Sequence, residues 1–393
     1  MERNLDFDTV IERSGTNCLK YDFAVQRGKP EGLLSLWVAD MDFRTSSYIQ
    51  DAIREQAEHG IYGYSESGVS YFEAVQRWLE THYQWKIKRP WLIKTPGIVF
   101  ALAMAVQAYT EPGDGVMLQL PVYYPFSEVI QDNGRRIVNS PLVADDTGYY
   151  RMNPAEIEDL IVREQVKLFF LCNPHNPVGR VWTREELETL GDICYRHHVI
   201  VVSDEIHADY TFQGTHHIFA GLKPEYEEIT VTCTAPTKTF NIAGLQISNI
   251  LIPNRELRHK FRGSVNAAGY SQVNAVGLVA CEAAYRYGEE WYQAAREYIW
   301  KNICYTVAYI RAKIPELKVR EPEGTYLVWI DFRELGLSVE ELEELIVKKA
   351  GLWLDSGAIF GSAGAGYQRI NVACPRSVLT QALEQLEKAV HTR

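Results

Sequence analysis

The middle of the chain alternates continuous apolar runs with amphipathic segments. The apolar runs, such as "VKLFFLC" at 166–172 and "HVIVV" at 198–202, indicate strands that are buried on both faces. Between these two runs, Thr183 opens "TREELETL" and Glu186 follows three residues later, which is the pattern of a capping box at a helix N-terminus. Strands that alternate with helices predict an α/β layer with a largely parallel sheet.

The pattern changes after about residue 285. The segment "EEWYQAAREYIWKNICYTVAYIRAKI" indicates a long helix, and it leads to the apolar run "GTYLVWIDF", a further helix and the run "YQRINVAC". Because strands and helices no longer alternate strictly, this part is typical of an α+β unit. We therefore predict a large domain and a smaller α+β domain that includes the N-terminal arm. The predicted boundaries are 46–284 for the large domain, and 1–45 together with 285–393 for the small domain.

Composition narrows the class of protein. The chain has 393 residues and a formal net charge of -11, which argues against a nucleic-acid partner because phosphates require a basic surface. The first residues are polar and no apolar run approaches the ~20 residues of a membrane span, so that neither a targeting segment nor a membrane partner is predicted. The 7 cysteines form no CxxC pair, which favours a reducing cytoplasm over a disulfide framework.

The sequence predicts no metal site. His197 and His198 are neighbours in the chain, as are His216 and His217, and neither pair has the spacing of metal ligands. We expect both pairs to lie at the surface or in turns.

Polar motifs follow three of the predicted strands. Asn176 lies in "NPHNPVGR" after "LFFLC", Asp204 lies in "SDEIH" after "VIVV", and Lys238 ends "APTK" after "ITVTC". Taken singly, each has a structural explanation, because Asn-Pro pairs form turns, an aspartate can cap a helix and a lone lysine is usually solvated. Ligands of α/β sheets bind beyond the carboxyl ends of the strands, and the three motifs together predict a site at that edge.

One cofactor requires this set of side chains. Pyridoxal phosphate (PLP) needs a lysine amine for its Schiff base and a carboxylate that keeps the pyridine nitrogen protonated, so that the ring accepts electrons. An asparagine can bind the phenolate oxygen of the ring, and an aromatic side chain such as Tyr123, in "LPVYYPF", can stack on its face. The phosphate needs backbone N–H groups at a helix N-terminus, and "TPG" at 95–97 opens an apolar helix.

The chain resembles the fold-type I PLP enzymes of the class I/II aminotransferase group, from about residue 5 to the C-terminus. Within that group it is similar to the C–S lyases of the MalY/PatB type, which are cystathionine β-lyase-like. The motifs that carry the resemblance are "LWVADMDF", "HGIYGYS", "LPVYYPF", "LCNPHNPVGR", "VVSDEIHADY", "PTKTFNIAGLQ" and "RINVACPR". The resemblance implies an α/β fold in which helices sandwich a mostly parallel, seven-stranded sheet, with a smaller α+β domain beside it.

The resemblance also implies how the cofactor is held. Lys238 would form the Schiff base and move the proton at Cα of the substrate, and Asp204 would pair with the pyridine nitrogen. The other implied contacts are Asn176 at the ring 3-oxygen, Tyr123 on the ring face, His207 in a slot that aminotransferases often give to tyrosine, and the backbone of Gly97, Ile98 and Val99 at the phosphate. Many relatives have a phosphate-binding serine three residues before the lysine. Here that residue is Ala235, and Thr237 is the alternative hydroxyl.

Two further residues are implied to contact the substrate. Arg369, in "RINVAC", matches the arginine that binds the α-carboxylate through two parallel hydrogen bonds. Tyr64, in "HGIYGYS", matches a catalytic residue that reaches into the site of the neighbouring subunit. We therefore expect a homodimer with shared active sites.

The implied reaction is β-elimination of cystathionine or related L-cysteine S-conjugates, which are small amino-acid substrates, to a thiol, pyruvate and ammonia. Transamination of an L-amino acid needs the same groups and stays the alternative. A regulatory protein that keeps the fold without the chemistry is a third hypothesis, and the presence of both Lys238 and Asp204 disfavours it.

Overall fold

The computed structural model describes residues 1–392. The strands, in chain order, are β1 (Leu34–Ser35), β2 (Leu92–Thr95), β3 (Gly115–Leu118), β4 (Arg136–Asn139), β5 (Val143–Ala144), β6 (Tyr150–Arg151), β7 (Leu168–Cys172), β8 (Ile200–Asp204), β9 (Thr230–Thr234), β10 (Ser248–Leu251), β11 (Lys318–Val319), β12 (Leu327–Asp331), β13 (Leu352–Trp353), β14 (Asp355–Ser356) and β15 (Tyr367–Asn371).

The α-helices are α1 (Ser47–His59), α2 (Val69–Tyr83), α3 (Ile98–Tyr109), α4 (Pro125–Asp132), α5 (Pro154–Glu164), α6 (Arg184–Arg196), α7 (Pro236–Thr239), α8 (Arg255–Ala267), α9 (Ala275–Tyr287), α10 (Glu289–Lys313), α11 (Val339–Glu344) and α12 (Arg376–His391).

A seven-stranded sheet occupies the centre of the chain, in the order β2-β10-β9-β8-β7-β3-β4. Strand β10 runs antiparallel to both of its neighbours, and every other pairing in this sheet is parallel. Strands β3, β7, β9 and β10 are buried along their whole length. For β7 this burial agrees with the continuous apolar run "LFFLC". The predicted α/β fold with a mostly parallel, seven-stranded sheet is confirmed.

Strand β7 shows how helices cover both faces of this sheet. Leu168 and Phe170 point into a core that also contains the apolar side chains of α3. Phe169 and Leu171 point into a second core with side chains of α5 and α6. Side chains alternate between faces along a strand, so one apolar run can supply both cores.

Helix α6 begins with the predicted capping box. The Thr183 hydroxyl accepts a hydrogen bond from the backbone N–H of Glu186, and the Glu186 carboxylate accepts one from the backbone N–H of Thr183. These bonds satisfy two donors that the helix itself leaves without partners, and such a cap stabilises a helix by about 0.5–2 kcal/mol.

The long helix predicted after residue 285 is α10, which spans 25 residues. Its buried side chains include Trp291, Ala295, Ile299 and Ile303, which recur every fourth residue and therefore share one face. Charged residues occupy its other faces, and along residues 1–392 no helix is both long and apolar enough to cross a membrane.

A second sheet has four strands in the order β11-β12-β15-β14, all antiparallel. Its strand β15 carries Arg369, which lies opposite Trp329 of β12 on one side and opposite Asp355 of β14 on the other. Strand β1, from the N-terminal segment, pairs in parallel with β13, which directly precedes β14 in the chain. The division into domains at residues 45/46 and 284/285 stays a prediction.

The carboxyl ends of the central strands carry the three predicted motifs. Asp204 is the last residue of β8, and Asn176 lies four residues beyond the end of β7. Lys238 lies in the short helix α7, which begins two residues after β9. Strands β7, β8 and β9 are parallel neighbours, so these segments emerge at the same edge.

Gly191 lies where α6 packs closely against the loop before β9. A Cβ atom at this position would lie 2.3 Å from Cζ of Tyr226. That ring cannot move aside easily, because it stacks on Phe219 and its hydroxyl lies within hydrogen-bond distance of two acceptors, the Glu188 carbonyl and the Asp192 carboxylate. We expect Gly191→Ala to lower the free energy of unfolding by about 1–3 kcal/mol, the scale of an overpacked core.

Gly263 of α8 provides the matched control, because a Cβ atom there would meet nothing within 4 Å. Gly263→Ala should raise the free energy of unfolding by up to about 1 kcal/mol, since alanine favours a helix more than glycine does. Urea unfolding followed by circular dichroism measures both variants. Equal stability of Gly191→Ala and the parent would show that the Tyr226 ring moves aside to accommodate the added methyl group.

Candidate active site

Lys238 is held inside a cavity by a backbone carbonyl. Its Nζ atom donates a hydrogen bond to the carbonyl oxygen of Ala39 at 2.5 Å. Burial lowers the pKa of this amine to about 8, and the nearby carboxylate of Asp40 opposes part of that shift. Part of the Lys238 population is therefore neutral at pH values near 7, which suits an amine that must act as a nucleophile or a base.

Two segments hold the helix that carries Lys238. In the first, the Thr239 hydroxyl contacts the carboxylate of Asp209, and the Tyr210 hydroxyl donates to the Thr239 carbonyl at 2.9 Å. In the second, the Met41 N–H donates to the Asn241 side chain at 2.9 Å, and that side chain donates to the Met41 carbonyl at 2.8 Å. The motifs "SDEIHADY" and "VADMDF" therefore both hold the segment that carries the lysine.

The carbonyl that faces Lys238 is itself fixed. The Tyr326 hydroxyl donates to the Ala39 carbonyl at 3.0 Å. The Asn371 side chain donates to the carbonyls on either side, those of Val38 at 2.6 Å and Asp40 at 2.5 Å. The backbone at 38–40 thus has little freedom to move away from the amine.

Asp204 is a buried carboxylate that lacks a close cation. Its Oδ1 atom accepts a hydrogen bond from the backbone N–H of Ile206 at 3.2 Å. Burial raises the pKa of Asp204 to about 7, the negative charge of Glu205 adds to that shift, and the charge of Lys238 opposes it. A cation placed against this carboxylate would keep it ionised, and a pyridinium nitrogen supplies such a cation.

His216 is an unpredicted part of the same region, and its expected place at the surface or in a turn is wrong. It is buried, with Nε2 2.8 Å from Oε2 of Glu205. Glu205 lies behind Asp204 and also accepts hydrogen bonds from the Ser203 hydroxyl and the Phe219 N–H. A carboxylate this deeply buried needs several donors, and His216 is one of them.

The cavity that contains Lys238 has a volume of about 240 Å³. It brings together most of the side chains that the sequence selected. The predicted residues that line it are Ile98, Val99, Tyr123, Asn176, Asp204, His207, Lys238 and Arg369. Residues from β8, β15, α3, α7 and three loops thus converge on one space, although they are up to 271 positions apart, from Ile98 to Arg369.

Helix α3 presents its N-terminus to this cavity. Ile98 and Val99, its first two residues, line the space, and Gly97 is the N-cap. The backbone N–H groups of a first helical turn have no partners within the helix and favour an anion. A phosphate group fits this end of the cavity. Thr237 lies in the first turn of α7 and is not part of the lining, so its contact with the phosphate stays a prediction.

Arg369, Asn176 and Tyr123 form one connected group. Nη1 of Arg369 donates to Oδ1 of Asn176 at 2.8 Å, and the backbone N–H of Tyr123 donates to the Asn176 carbonyl at 3.0 Å. Burial raises the pKa of Tyr123, so its phenol is neutral and can present an uncharged face to a ring. An asparagine held in this way can still direct its Nδ2 group to a ring oxygen.

His207 is neutral in this environment. Its Nδ1 atom is buried and has no hydrogen-bond partner within residues 1–392. Burial, together with the positive charges of Lys238 and Arg369, holds the pKa of His207 well below its usual value. The imidazole packs edge-on against Tyr326, 5.9 Å between ring centroids, and can contact a planar ligand without adding charge.

The cavity includes residues to which the sequence assigned no role. Asp355 contacts Arg369, and the other such residues are Leu19, Trp37, Val38, Ala39, Tyr124, Cys172 and Ile206. The motif "LWVADMDF" contains Trp37 and Ala39, whose backbone carbonyls accept hydrogen bonds from Arg369 and Lys238. The sequence does not reveal this role, because every residue type has a backbone carbonyl. Asp355 gave no signal, because only the register of β14 on β15 places it opposite Arg369.

Tyr64 is the one predicted catalytic side chain that lies away from the cavity. It is 95% exposed, in the segment between α1 and α2. It borders a separate groove formed by residues 62–65 and 269–276. Within one chain it cannot contact Lys238, and its predicted role requires a second chain.

The residues present fit PLP. One cavity is surrounded by five groups: an amine of lowered pKa, a buried carboxylate without a close cation, an asparagine amide, a neutral tyrosine ring and a helix N-terminus. These match the aldehyde, the pyridine nitrogen, the ring oxygen, the ring face and the phosphate of this cofactor. Among residues 1–392, no group of histidine, cysteine and acidic side chains could hold a metal ion.

Known proteins are similar to the chain along nearly its full length. It is 42% identical over 387 residues to cystathionine beta-lyase PatB of Bacillus subtilis, covering 98% of this chain and 100% of that protein. The crystal structure of cystalysin from Treponema denticola, which contains a pyridoxal 5'-phosphate cofactor, superimposes with a TM-score of 0.95 at 36% identity, over 98% of this chain and 99% of that one. A PLP-bound C–S lyase of Staphylococcus hominis gives a TM-score of 0.92 at 34% identity, over 99% of both chains.

The family assignment follows from the sequence profile as well as from these relatives. The profile of the family "Aminotransferase class I and II" matches residues 33–386, which include every residue that lines the cavity except Leu19. The resemblance found from the motifs is confirmed. The chain belongs to the class I and II aminotransferase family.

Proposed function

We propose that the chain is a PLP-dependent C–S β-lyase that cleaves cystathionine or related L-cysteine S-conjugates to a thiol, pyruvate and ammonia. The observation that carries this proposal is its full-length similarity to a cystathionine β-lyase, combined with a cavity that joins Lys238, Asp204 and Arg369. PLP, when bound, supplies an electron sink that stabilises negative charge at Cα of the substrate.

Asp204 supplies the permanent counter-charge for that sink. The raised pKa of Asp204 indicates that, without the cofactor, burial disfavours the ionised form of this carboxylate. A cationic ring nitrogen beside it removes that cost, so the carboxylate and the protonated nitrogen stabilise each other. Ile206 holds Oδ1 in place through its backbone N–H, which fixes the direction of the second carboxylate oxygen.

Lys238 has two tasks that both need its neutral form. It carries the cofactor as a nucleophilic amine, and it removes the proton at Cα of the substrate once released. The Ala39 carbonyl orients Nζ without adding a negative charge, so burial can lower the pKa of the amine. An ion pair in place of this carbonyl would raise that pKa and weaken the base.

Transamination of an L-amino acid is the second candidate. It requires the same amine, carboxylate and arginine, and differs in where the proton is returned after it leaves Cα. The relatives named as lyases favour elimination for this chain. A direct comparison of products separates the two reactions.

We further propose a cytoplasmic homodimer in which Tyr64 of each chain completes the site of the other. Ile61, Tyr62 and Tyr64 are 68%, 62% and 95% exposed, so one segment presents three large apolar or aromatic side chains to solvent. Exposed groups of this kind mark interaction sites. A second copy of the chain is the occupant that would also give Tyr64 access to a substrate.

The product assay is the test of the proposed function. Purified protein with PLP should release pyruvate and a free thiol from L-cystathionine, faster than it forms glutamate from an L-amino acid and 2-oxoglutarate. Lys238→Ala should lower pyruvate release by about 10²–10⁴-fold or more, the contribution of a positioned base. Lys301→Ala is the control, because that lysine is exposed on α10. Faster formation of glutamate than of pyruvate would identify an aminotransferase instead.

Arg369→Lys should weaken recognition of the α-carboxylate. Lysine keeps the positive charge but loses the two-pronged contact. For a carboxylate substrate, we expect a fall in kcat/KM that corresponds to a loss of about 2–4 kcal/mol in transition-state binding, the scale of breaking a buried charged pair. An amine substrate that lacks the carboxylate should distinguish little between the parent and the variant. An equal loss for both substrates would indicate that Arg369 has a structural role.

Complementation tests the shared site. Lys238→Ala and Tyr64→Phe should each be impaired alone. Mixing them under verified subunit exchange should produce hybrid dimers in which one site carries both substitutions and the other carries neither. Activity should then exceed the sum of the two separate preparations, up to about one quarter of the parent activity for random exchange of equal amounts. No recovery would show that Tyr64 does not complete the site of the neighbouring chain.

A further inference from the structure

Arg369 is paired with a carboxylate of its own chain. Strand pairing places Asp355 of β14 directly opposite Arg369 of β15, and Oδ2 of Asp355 contacts Nη2 of Arg369. Both side chains are buried, with 3% and 7% of the arginine and aspartate side chains exposed. Both also line the cavity that contains Lys238. The arginine proposed to bind the substrate is therefore already bound.

The hydrogen atoms of this guanidinium can be counted. Nη2 donates to Asp355 and to the Trp37 carbonyl, the latter at 3.1 Å, so both of its hydrogens are in use. Nη1 donates one hydrogen to Asn176 at 2.8 Å. Nε is buried and has no partner within residues 1–392. Arginine has five N–H donors, so one hydrogen on Nη1 and the one on Nε are free.

These two free hydrogens do not form a carboxylate site. A carboxylate binds arginine at two points along one edge, either Nη1 with Nη2 or Nε with Nη2. Both edges include Nη2, so a two-point contact requires Asp355 or Trp37 to leave it. The Trp37 carbonyl belongs to the main chain next to Leu36, whose N–H and carbonyl are bonded to Trp353 and Asn371. The side chain of Asp355 is the partner that can rotate away.

We propose that Asp355 occupies Arg369 as an internal carboxylate until the α-carboxylate of the substrate exchanges with it, and that this exchange transfers one proton from solvent to Asp355. The proposal rests on the proposed role of Arg369. No other bond is made or broken. Asp355 is a positioning residue that holds the guanidinium in the cavity before substrate arrives and makes carboxylate binding dependent on pH.

The charges around Asp355 set the direction of that dependence. Arg369 faces it from β15, Lys29 from the N-terminal segment, and Tyr123 and Tyr124 from the loop just before α4. Burial raises the pKa of Asp355, while Arg369 and Lys29 oppose the shift. Lys29 also pairs with Glu343, so its charge is not available to Asp355 alone.

The exchange makes the ionised form of Asp355 less favourable still. Once Arg369 contacts a second carboxylate, Asp355 is left buried beside another negative charge, which raises its pKa further. Below the pKa that Asp355 has in the free site, it is already protonated and a carboxylate binds at full strength. Between that pKa and the higher pKa that Asp355 has in the complex, binding takes up a proton, and affinity falls by about tenfold for each pH unit.

Propionate is a suitable probe because it has a carboxylate and no amino group. Its inhibition constant is measured against the PLP-loaded enzyme between pH 6 and 8.5, for the parent and for Asp355→Asn. Proton uptake is measured by calorimetry in two buffers of different ionisation enthalpy. We expect parent affinity to fall about tenfold per pH unit more steeply than that of the variant. The parent should also take up about one proton more on binding.

Two further variants serve as controls. Asp331→Asn removes another carboxylate of the same sheet, one that pairs with Arg333, and should reproduce the parent. Asp355→Glu keeps the carboxylate and should restore the steep pH dependence. The visible absorption of bound PLP and the thermal midpoint confirm that each variant is folded. Asp355→Glu still reports on the carboxylate if Asp355→Asn fails to fold.

The outcomes separate this proposal from the one on which it rests. If Arg369→Lys loses propionate binding while Asp355→Asn has the parent's pH profile and proton uptake, Asp355 does not exchange and the role of Arg369 stands. If propionate binds Arg369→Lys as tightly as the parent, the role of Arg369 is wrong and the exchange is overturned with it. The exchange is supported if propionate affinity loses its steep pH dependence in Asp355→Asn and regains it in Asp355→Glu.

Discussion

The hydrogen bond between Nζ of Lys238 and the carbonyl of Ala39 is the contact on which the site depends. It lets a buried amine have a partner without giving it a counter-ion, so that desolvation lowers the pKa of the amine to about 8. The carbonyl belongs to the N-terminal segment, and side chains from β15 and from the residue just before β12 fix it. The chemistry at the end of β9 therefore requires segments from both sheets and from the first 40 residues.

The path of the N-terminal segment is fixed by charges rather than by regular structure. Lys20 is fully buried, and its Nζ lies 2.8 Å from Asp42 and 3.6 Å from Asp40. Arg13 contacts the same two carboxylates, each at 2.6 Å. Removing one member of such a buried group leaves a charge uncompensated, at a cost of about 3–5 kcal/mol, so alternative paths for this segment are disfavoured. The same arrangement keeps the charge of Asp40 near Lys238, where it limits the fall in the amine's pKa.

The sequence was most informative where a buried strand ends on a polar residue. The apolar runs before Asn176, Asp204 and Lys238 fixed both the parallel sheet and the edge where these residues meet, because that edge follows from chain direction alone. Arg369 was found only through the family resemblance, since it lies on the second sheet, whose packing against the first has no local sequence signal. Asp355 was missed because cross-strand register decides its partner, and His216 was misplaced because its partner, Glu205, is buried by the fold and not by its neighbours in sequence. The role of Tyr64 stays a prediction, because this side chain is exposed away from the cavity and the role requires a second chain.

The charged groups of the cavity form two sets, one on each sheet. Lys238 and Asp204 belong to the ends of the seven-stranded sheet, and Arg369 and Asp355 face each other on the four-stranded sheet. Arg369 and Asp355 compensate each other by direct contact, whereas Lys238 and Asp204 form no ion pair, and burial disfavours the charged form of each. A cofactor with a cationic ring nitrogen changes the balance of the first set, and a substrate carboxylate changes that of the second. Asn176 connects the second set to the aromatic wall of the cavity, because its side chain accepts from Arg369 while its carbonyl accepts from the N–H of Tyr123. Recognition of the substrate and support of the cofactor thus depend on separate charged groups, which allows Arg369 and Asp355 to be rearranged without removing Asp204 from the cofactor side.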